Sequence, residues 1–204
     1  MAEKARILMV CTGNICRSPF IERLLQHELD ECGSGAERGV TVRSAGTGAL
    51  VGSAMDPRAA AQLMAHGGDP AGFRARQLTP AIIAESDLVL TATRVHRGKV
   101  ALLSPKVLRR VFTFRDFADL VAGIDRANLM ARVDGPRIHS TPSDPVTWVR
   151  AVTEEAATRR GLNAPLAVGQ ADIVDPYRRE DEVFVTMAQQ IVESMPAVAH
   201  ALVA

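Results

Sequence analysis

Cys11, Arg17 and Ser18 are the residues with the most chemistry to offer, and they share one short stretch, C-T-G-N-I-C-R-S-P. The thiolate is the reactive form of cysteine, and it is favoured beside a guanidinium and a helix N-terminus. Arg17 supplies a planar fork that can bind two oxygens of a phosphoryl group at once. Gly13 and Asn14 are the residue types that most readily enter the left-handed backbone conformation. The loop can therefore turn the N–H groups of Thr12, Gly13, Asn14, Ile15 and Cys16 inward around a tetrahedral anion. The Ser18 hydroxyl can donate to the thiolate, and a thiolate facing a bound phosphoryl group is a nucleophile in position. Reading Cys11 as an ordinary buried cysteine at a strand end leaves Gly13, Asn14 and Arg17 unexplained together.

The flanking elements suit that chemistry. Ile7-Leu8-Met9-Val10 reads as a buried strand. Pro19 stands at the first position of a helix, and Phe20, Ile21, Leu24, Leu25 and Leu29 recur at helical spacing until Cys32-Gly33-Ser34-Gly35. Strand, loop and helix in that order aim the loop amides past a strand end, where open α/β sheets bind ligands. Val40 to Ala45 alternates as a second strand. Asp56-Pro57 and Thr79-Pro80 cap and open further helices, so Asp56 reads as a cap and not as a catalytic acid. Asp87 to Ala92 is a third strand, with His96 solvated on the helix after it, and Val107 to Phe114 a fourth. This alternation argues for a three-layer αβα fold: a four-stranded parallel sheet with helices on both faces.

The loop string resembles the signature of the low-molecular-weight protein tyrosine phosphatases, Cys-(five residues)-Arg-Ser. The resemblance implies that Cys11 is the nucleophile, Arg17 clamps the phosphoryl group, Asn14 shapes the loop and Ser18 assists the leaving thiolate. The same family carries the tetrad Ser44-Ala45-Gly46-Thr47, in which Ser44 would brace Asn14; taken locally, Ser44 is a serine in a glycine-rich turn. His66 to Gln77, H-G-G-D-P-A-G-F-R-A-R-Q, resembles another family segment, with Gly68 in place of Ile and Phe73 in place of a loop-bracing His. Asp175-Pro176-Tyr177 resembles the general-acid loop, which implies Asp175 as the acid and Asp172 as a turn residue. Such an acid, on a mobile loop, protonates the oxygen that leaves. Pro176 restricts Asp175 to extended conformations, and Tyr177 would wall the entrance. By the same resemblance Cys16 would form a reversible disulfide with Cys11 under peroxide.

The resemblance covers Ala5 to about Phe117 and resumes at Asp172, within a single domain of residues 1–204. Residues 118–171 read as a helical insertion before the acid loop. Gly135-Pro136, Thr141-Pro142 and Asp144-Pro145 give turn and helix-start signals there. Thr147 to Arg160 reads as a helix with Trp148, Val149, Val152 and Ala156 on one side, packed on the body; a lid or docking element is the alternative. The last helix runs from Glu180 to about Met195.

Composition narrows the rest. With 204 residues, 47% hydrophobic and 23% charged, the chain suits a folded domain with a proper core. A net charge of +1 gives no footprint for nucleic acid or an acidic membrane. No apolar run approaches a membrane span, and Met1-Ala2-Glu3-Lys4 leads straight into a strand without signal-peptide character. The only cysteines, Cys11, Cys16 and Cys32, lack zinc spacing, and a reactive thiol points to the cytoplasm. The expectation is a protein tyrosine phosphatase working through a phosphocysteine, without metal or cofactor. Its partner would be a phosphotyrosine protein, with a tyrosine kinase as one candidate. An arsenate reductase coupled to thioredoxin is excluded because no cysteine follows Cys32; one recycled by a small thiol stays open. Phosphoarginine phosphatases of the family carry Thr where Ile15 stands. A non-catalytic phosphotyrosine-binding module has no need of Cys11, Arg17 and Asp175 together. The residues after the Ser44 tetrad, Ala49, Leu50 and Val51, make one cleft wall aliphatic where tyrosine-directed members usually place an aromatic.

Overall fold

The apolar run near the start of the chain is a central strand, covered on both faces. In the computed structural model, which describes residues 4–33, 39–134 and 144–203, β1 spans Ala5–Cys11. Ile7 and Met9 enter one hydrophobic cluster and Leu8 and Val10 the other, as strand alternation requires. β1 pairs in parallel with β2 (Val40–Gly46) and β3 (Leu88–Thr91). β4 (Val111–Thr113) adds to β3, giving a four-stranded sheet of order β2-β1-β3-β4. The order reverses beside β1, so the loop after Cys11 opens at the crevice where such sheets bind ligands.

Helices cover both faces. α1 (Arg17–Glu31) and α2 (Pro57–Ala65) pack on the Ile7 face, while α3 (Pro80–Ala84) and α4 (Arg94–Leu103) pack on the Leu8 face. α5 (Phe114–Ala122), α6 (Arg126–Asp134), α7 (Pro145–Arg159) and α8 (Asp181–Leu202) follow, and all four contribute to the Ile7 side. The expected caps are present: Asp56 accepts from Arg58 N–H at 2.9 Å, and Thr79 from Ile82 N–H at 3.3 Å.

Several boundaries differ from the sequence reading. α1 begins at Arg17, so Pro19 is its third residue and not its first. First-turn N–H groups have no intrahelical acceptor, and a proline there breaks no bond. Val107 belongs to a 3-10 turn, Pro105–Arg110, and Phe114 already opens α5, so the fourth strand is only Val111–Thr113. α8 continues past Met195 to Leu202 with Pro196 inside it. An internal proline costs about 3 kcal/mol, whereas burying Val198 and Leu202 contributes about 1.5–3 kcal/mol each.

α7 packs on the body, with Trp148, Val149, Val152 and Ala156 buried. Gly135-Pro136 and Thr141-Pro142 lie outside the described residues. Arg150 Nε donates to Asp87 Oδ1 at 2.9 Å, just before β3, and Trp148 Nε1 donates to Ala201 O at 3.0 Å, near the end of α8. α7 therefore sits at the end of the sheet opposite Cys11 and is no lid. From there the chain climbs the β4 edge. The Arg160 guanidinium lies over the Phe112 ring at 3.8 Å and donates to Val111 O at 2.6 Å, and Arg94 Nη2 donates to Leu166 O at 2.8 Å.

Candidate active site

The loop between β1 and α1 is turned inside out by its neighbours. Thr47, Gly48 and Leu50 N–H groups donate to the carbonyls of Cys11, Thr12 and Gly13 at 2.9, 3.1 and 3.0 Å, and Asp56 N–H donates to Ile15 O at 2.9 Å. With those carbonyls drawn outward, the N–H groups of residues 12–16 have no protein partner among the described residues. Gly46 permits the approach: a Cβ there would meet Thr12 O at 2.3 Å. Asn14 takes φ 56° and Gly13 has no positive φ. A single left-handed residue suffices to turn this loop.

Asn14 is fully buried and all of its side chain is used. Its Nδ2 donates to Ser18 Oγ at 2.9 Å and to Ser44 Oγ at 2.8 Å, and its Oδ1 accepts from Arg76 N–H at 2.8 Å. Ser44 in turn donates to Glu22 Oε2 at 2.5 Å. Burial pushes the Glu22 carboxyl up, against Ser44, Arg23, Arg43 and Arg76, which favour its ionised form. Ser18 accepts from Asn14, so its own proton is directed to Cys11 Sγ, 2.9 Å away. Phe73, in the position of a loop-bracing His, is buried beneath the Arg23 guanidinium at 5.9 Å. The bracing comes from Arg76, whose Nε also donates to Ser44 O at 2.6 Å.

Arg17 is buried, and its Nε has no hydrogen-bond partner. Its Nη2 lies 2.7 Å from Asp175 Oδ2 and its Nη1 donates to Ile173 O at 3.5 Å. A buried guanidinium with one unpartnered donor and another donating to a carboxylate has N–H groups to offer an oxyanion. Cys11, Thr12, Gly13, Ile15, Cys16 and Arg17 share a cavity of about 130 Å³ with Gly48, Leu50, Asp175 and Tyr177. Leu50 and Tyr177 are each 43% exposed at its mouth, which makes one wall aliphatic and the other aromatic. The Cys16 thiol is pushed up to about 12, by burial first and then by Asp56, Cys11 and Asp175. It stays protonated beside Cys11.

The acid loop is tied down at both ends. Asp172 Oδ1 accepts from Arg94 N–H at 2.7 Å, Ile173 N–H donates to Ala92 O at 2.9 Å, and Val174 N–H donates to Gln190 Oε1 at 2.9 Å. Beyond Tyr177, Arg58 Nη1 donates to Arg179 O at 2.7 Å. Asp172 is thus a structural turn residue, and only Asp175 reaches Arg17.

His96 corrects the sequence reading. It is 4% exposed, not solvated, with Nε2 at 2.8 Å from Thr12 Oγ1 and Nδ1 at 2.7 Å from Thr93 Oγ1. Sequence reasoning also passed over Glu22 and Arg76, which sit in the bracing network. The available signal was positional: a histidine in the first turn of a helix that starts at a strand's C-terminal end leans back toward the site. Among the described residues no group of three or more His, Cys, Asp or Glu could hold a metal ion, and no helix is long and apolar enough to cross a membrane.

Comparison with known proteins gives one consistent picture. The profile of the family described as "Low molecular weight phosphotyrosine protein phosphatase" matches residues 6–132. The low molecular weight protein-tyrosine-phosphatase Wzb of Salmonella typhi is 38% identical over 109 residues, 53% of this chain and 68% of that protein. The probable phosphatase EpsP of Ralstonia nicotianae is 39% identical over 106 residues, 52% of this chain and 68% of its own. Among solved structures, Vibrio vulnificus Wzb in complex with benzylphosphonate superposes with a TM-score of 0.62 at 26% identity, covering 97% of this chain and 98% of that one. The YwlE arginine phosphatase of Geobacillus stearothermophilus gives 0.62 at 26% identity, covering 96% and 91%.

Proposed function

The chain belongs to the low molecular weight phosphotyrosine protein phosphatase family, and on that premise we propose which of its residues carry the hydrolysis. It is a protein-tyrosine-phosphatase, cysteine-dependent and metal-independent as that family is. Cys11, as the thiolate, attacks phosphorus in line. The P–S bond forms as the ester P–O bond breaks, and Asp175 gives its proton to the leaving phenolic oxygen. Water then attacks the phosphocysteine and yields a proton to the Asp175 carboxylate. The P–S bond breaks, inorganic phosphate departs, and the Ser18 hydroxyl receives the restored thiolate. The amides of residues 12–16 and Arg17 hold the phosphoryl oxygens throughout, as preorganised donors.

One observation carries this reading: Cys11, the buried fork of Arg17 and the Asp175 carboxylate converge on one cavity, with Arg17 and Asp175 paired at 2.7 Å. That ion pair supports Arg17 as the group a phosphoryl oxygen meets. An incoming dianion takes Arg17, and Asp175, released from the guanidinium and protonated from solvent, turns toward the leaving oxygen. Leu50 and Tyr177 suit an aromatic ring between them, and Ile15 gives the cavity an alkyl group where arginine-directed members carry a hydroxyl. The substrates are phosphotyrosine proteins, a tyrosine kinase among them, met in the cytoplasm, where a reactive thiol stays reduced. The test is a hydrolysis panel of phosphotyrosine, phosphoserine and phosphoarginine peptides, run beside arsenate reduction with a small thiol. Phosphotyrosine is expected to be fastest by a wide margin. Faster phosphoarginine hydrolysis, or turnover of arsenate alone, would overturn the substrate assignment.

A further inference from the structure

His96 is the third residue of α4, and side chains in a helix's first turn lean toward its N-terminus. That N-terminus faces the anion loop, so the imidazole is enclosed between them. Nε2 meets Thr12 Oγ1 at 2.8 Å, and Nδ1 meets Thr93 Oγ1 at 2.7 Å. Burial first, then the charges of Arg17 and Lys99, push the imidazole down to about 4, against the pull of Asp175 and Asp172. At neutral pH it is therefore uncharged, one nitrogen donating and the other accepting. Both nitrogens are engaged, which makes the ring a bridge.

The same turn of α4 carries the acid loop. Arg94 N–H donates to Asp172 Oδ1 at 2.7 Å, and Ala92 O, just before the helix, accepts from Ile173 N–H at 2.9 Å. Thr12 adjoins the nucleophile, and Asp172 begins the segment that ends in the acid. We propose that His96 is a positioning residue of the phosphoryl-transfer site, holding the Thr12 edge of the anion loop in register with the helix turn that carries Asp175. The proposal rests on Cys11 as nucleophile and Asp175 as acid. Without the imidazole, the bond from Gly48 N–H to Thr12 O at 3.1 Å is the remaining tether of Thr12 among the described residues. Anion binding is shared among several amides and Arg17, so a small shift costs it little. Proton transfer depends on one distance and suffers more.

Gln and Asn separate the two contacts, because Gln brings its amide nitrogen near the place of Nε2 and Asn near that of Nδ1. In single-turnover phosphorylation, His96→Phe is expected to slow an aryl phosphate with a poor leaving group about tenfold. An aryl phosphate with a good leaving group should lose less, and vanadate affinity should hardly change. His96→Gln should recover most of the loss and His96→Asn should not. Added to Thr12→Val, His96→Phe should not steepen the leaving-group dependence further, since both remove the contact between Nε2 and Thr12. Equal losses for good and poor leaving groups, or equal behaviour of Gln and Asn, would make His96 a packing residue and overturn the proposal. If His96→Phe does not fold, Thr12→Val alone must show the graded loss. Trapping of phosphocysteine at Cys11 in the parent protein tests the underlying reading separately: its failure removes the nucleophile assignment, whatever the His96 variants do.

Discussion

The anion loop and the acid loop meet over one cavity and are built in opposite ways. The anion loop is braced from within, by a buried Asn14 that reaches Ser18, Ser44 and the Arg76 amide. The acid loop is held from its ends, at Asp172 to Val174 and again at Arg179, while the Asp175 side chain between them is 53% exposed. The difference fits the work that the proposed mechanism gives each. Donors that stabilise a transition state are effective when they need not reorganise. An acid that must leave Arg17 for a departing oxygen within one turnover needs room to move.

Breaking the nucleophile end should have the largest effect. Cys11→Ser is expected to lower turnover on the order of 10⁶-fold while vanadate binding, measured by calorimetry, persists on the intact amides and Arg17. Retained hydrolysis would remove Cys11 from its role. Asp175→Asn should slow aryl phosphates with poor leaving groups by about 10²–10⁴-fold, a factor that shrinks as the leaving phenol becomes more acidic. The same variant should bind vanadate more tightly than the parent, because Arg17 Nη2 is released from its carboxylate partner. Asp172→Asn should show no graded effect in the same leaving-group series; a steeper series there would move the acid upstream.

Arg17→Lys should cost about 10²–10³-fold in kcat, since a point charge does not reproduce a fork of donors. Stability sharpens the contrast between the loops. Asn14→Ala leaves Ser18, Ser44 and the Arg76 amide short of a partner, and should cost about 1–3 kcal/mol in a urea titration. Asp175→Asn, at an exposed carboxylate, should change stability by less than about 1 kcal/mol. Similar losses for both would mean the loops are not built differently after all.

Stability should also depend on pH. His96 is held below its ordinary value of 6.5, at about 4. Between those values the unfolded chain binds a proton that the folded one refuses, so unfolding gains as pH falls. The contribution is complete above about pH 6.5 and is lost progressively toward pH 4. Thermal melts across that range should show a shallower acid-side decline for His96→Gln than for the parent.

The residues that form the anion loop are legible in the sequence because they are contiguous: a strand, a residue able to turn left-handed, an arginine and a helix start between Ala5 and Glu31, while the bonds that draw its carbonyls outward come from residues 47–56. The alternation of strands and helices and the caps at Asp56 and Thr79 are legible for the same reason, since each depends on neighbours a few residues away. Contacts between distant segments are another matter. The imidazole of His96 looks the same in sequence whether solvated or enclosed; parallel pairing of β1 with β3 brings the start of α4 beside Thr12, across 84 residues. The apolar stripe of α7 declares a buried face, and only Arg150 against Asp87 and Trp148 against Ala201 decide which end of the sheet it covers. Likewise, Asp175 is picked out of several Asp-Pro pairs only by the likeness of Asp-Pro-Tyr to a family segment, and its hold on Arg17 exists only because Asp172 is fastened to α4 and Arg179 to α2. Local sequence specifies conformation within its own reach, and packing across the sheet decides what those conformations touch.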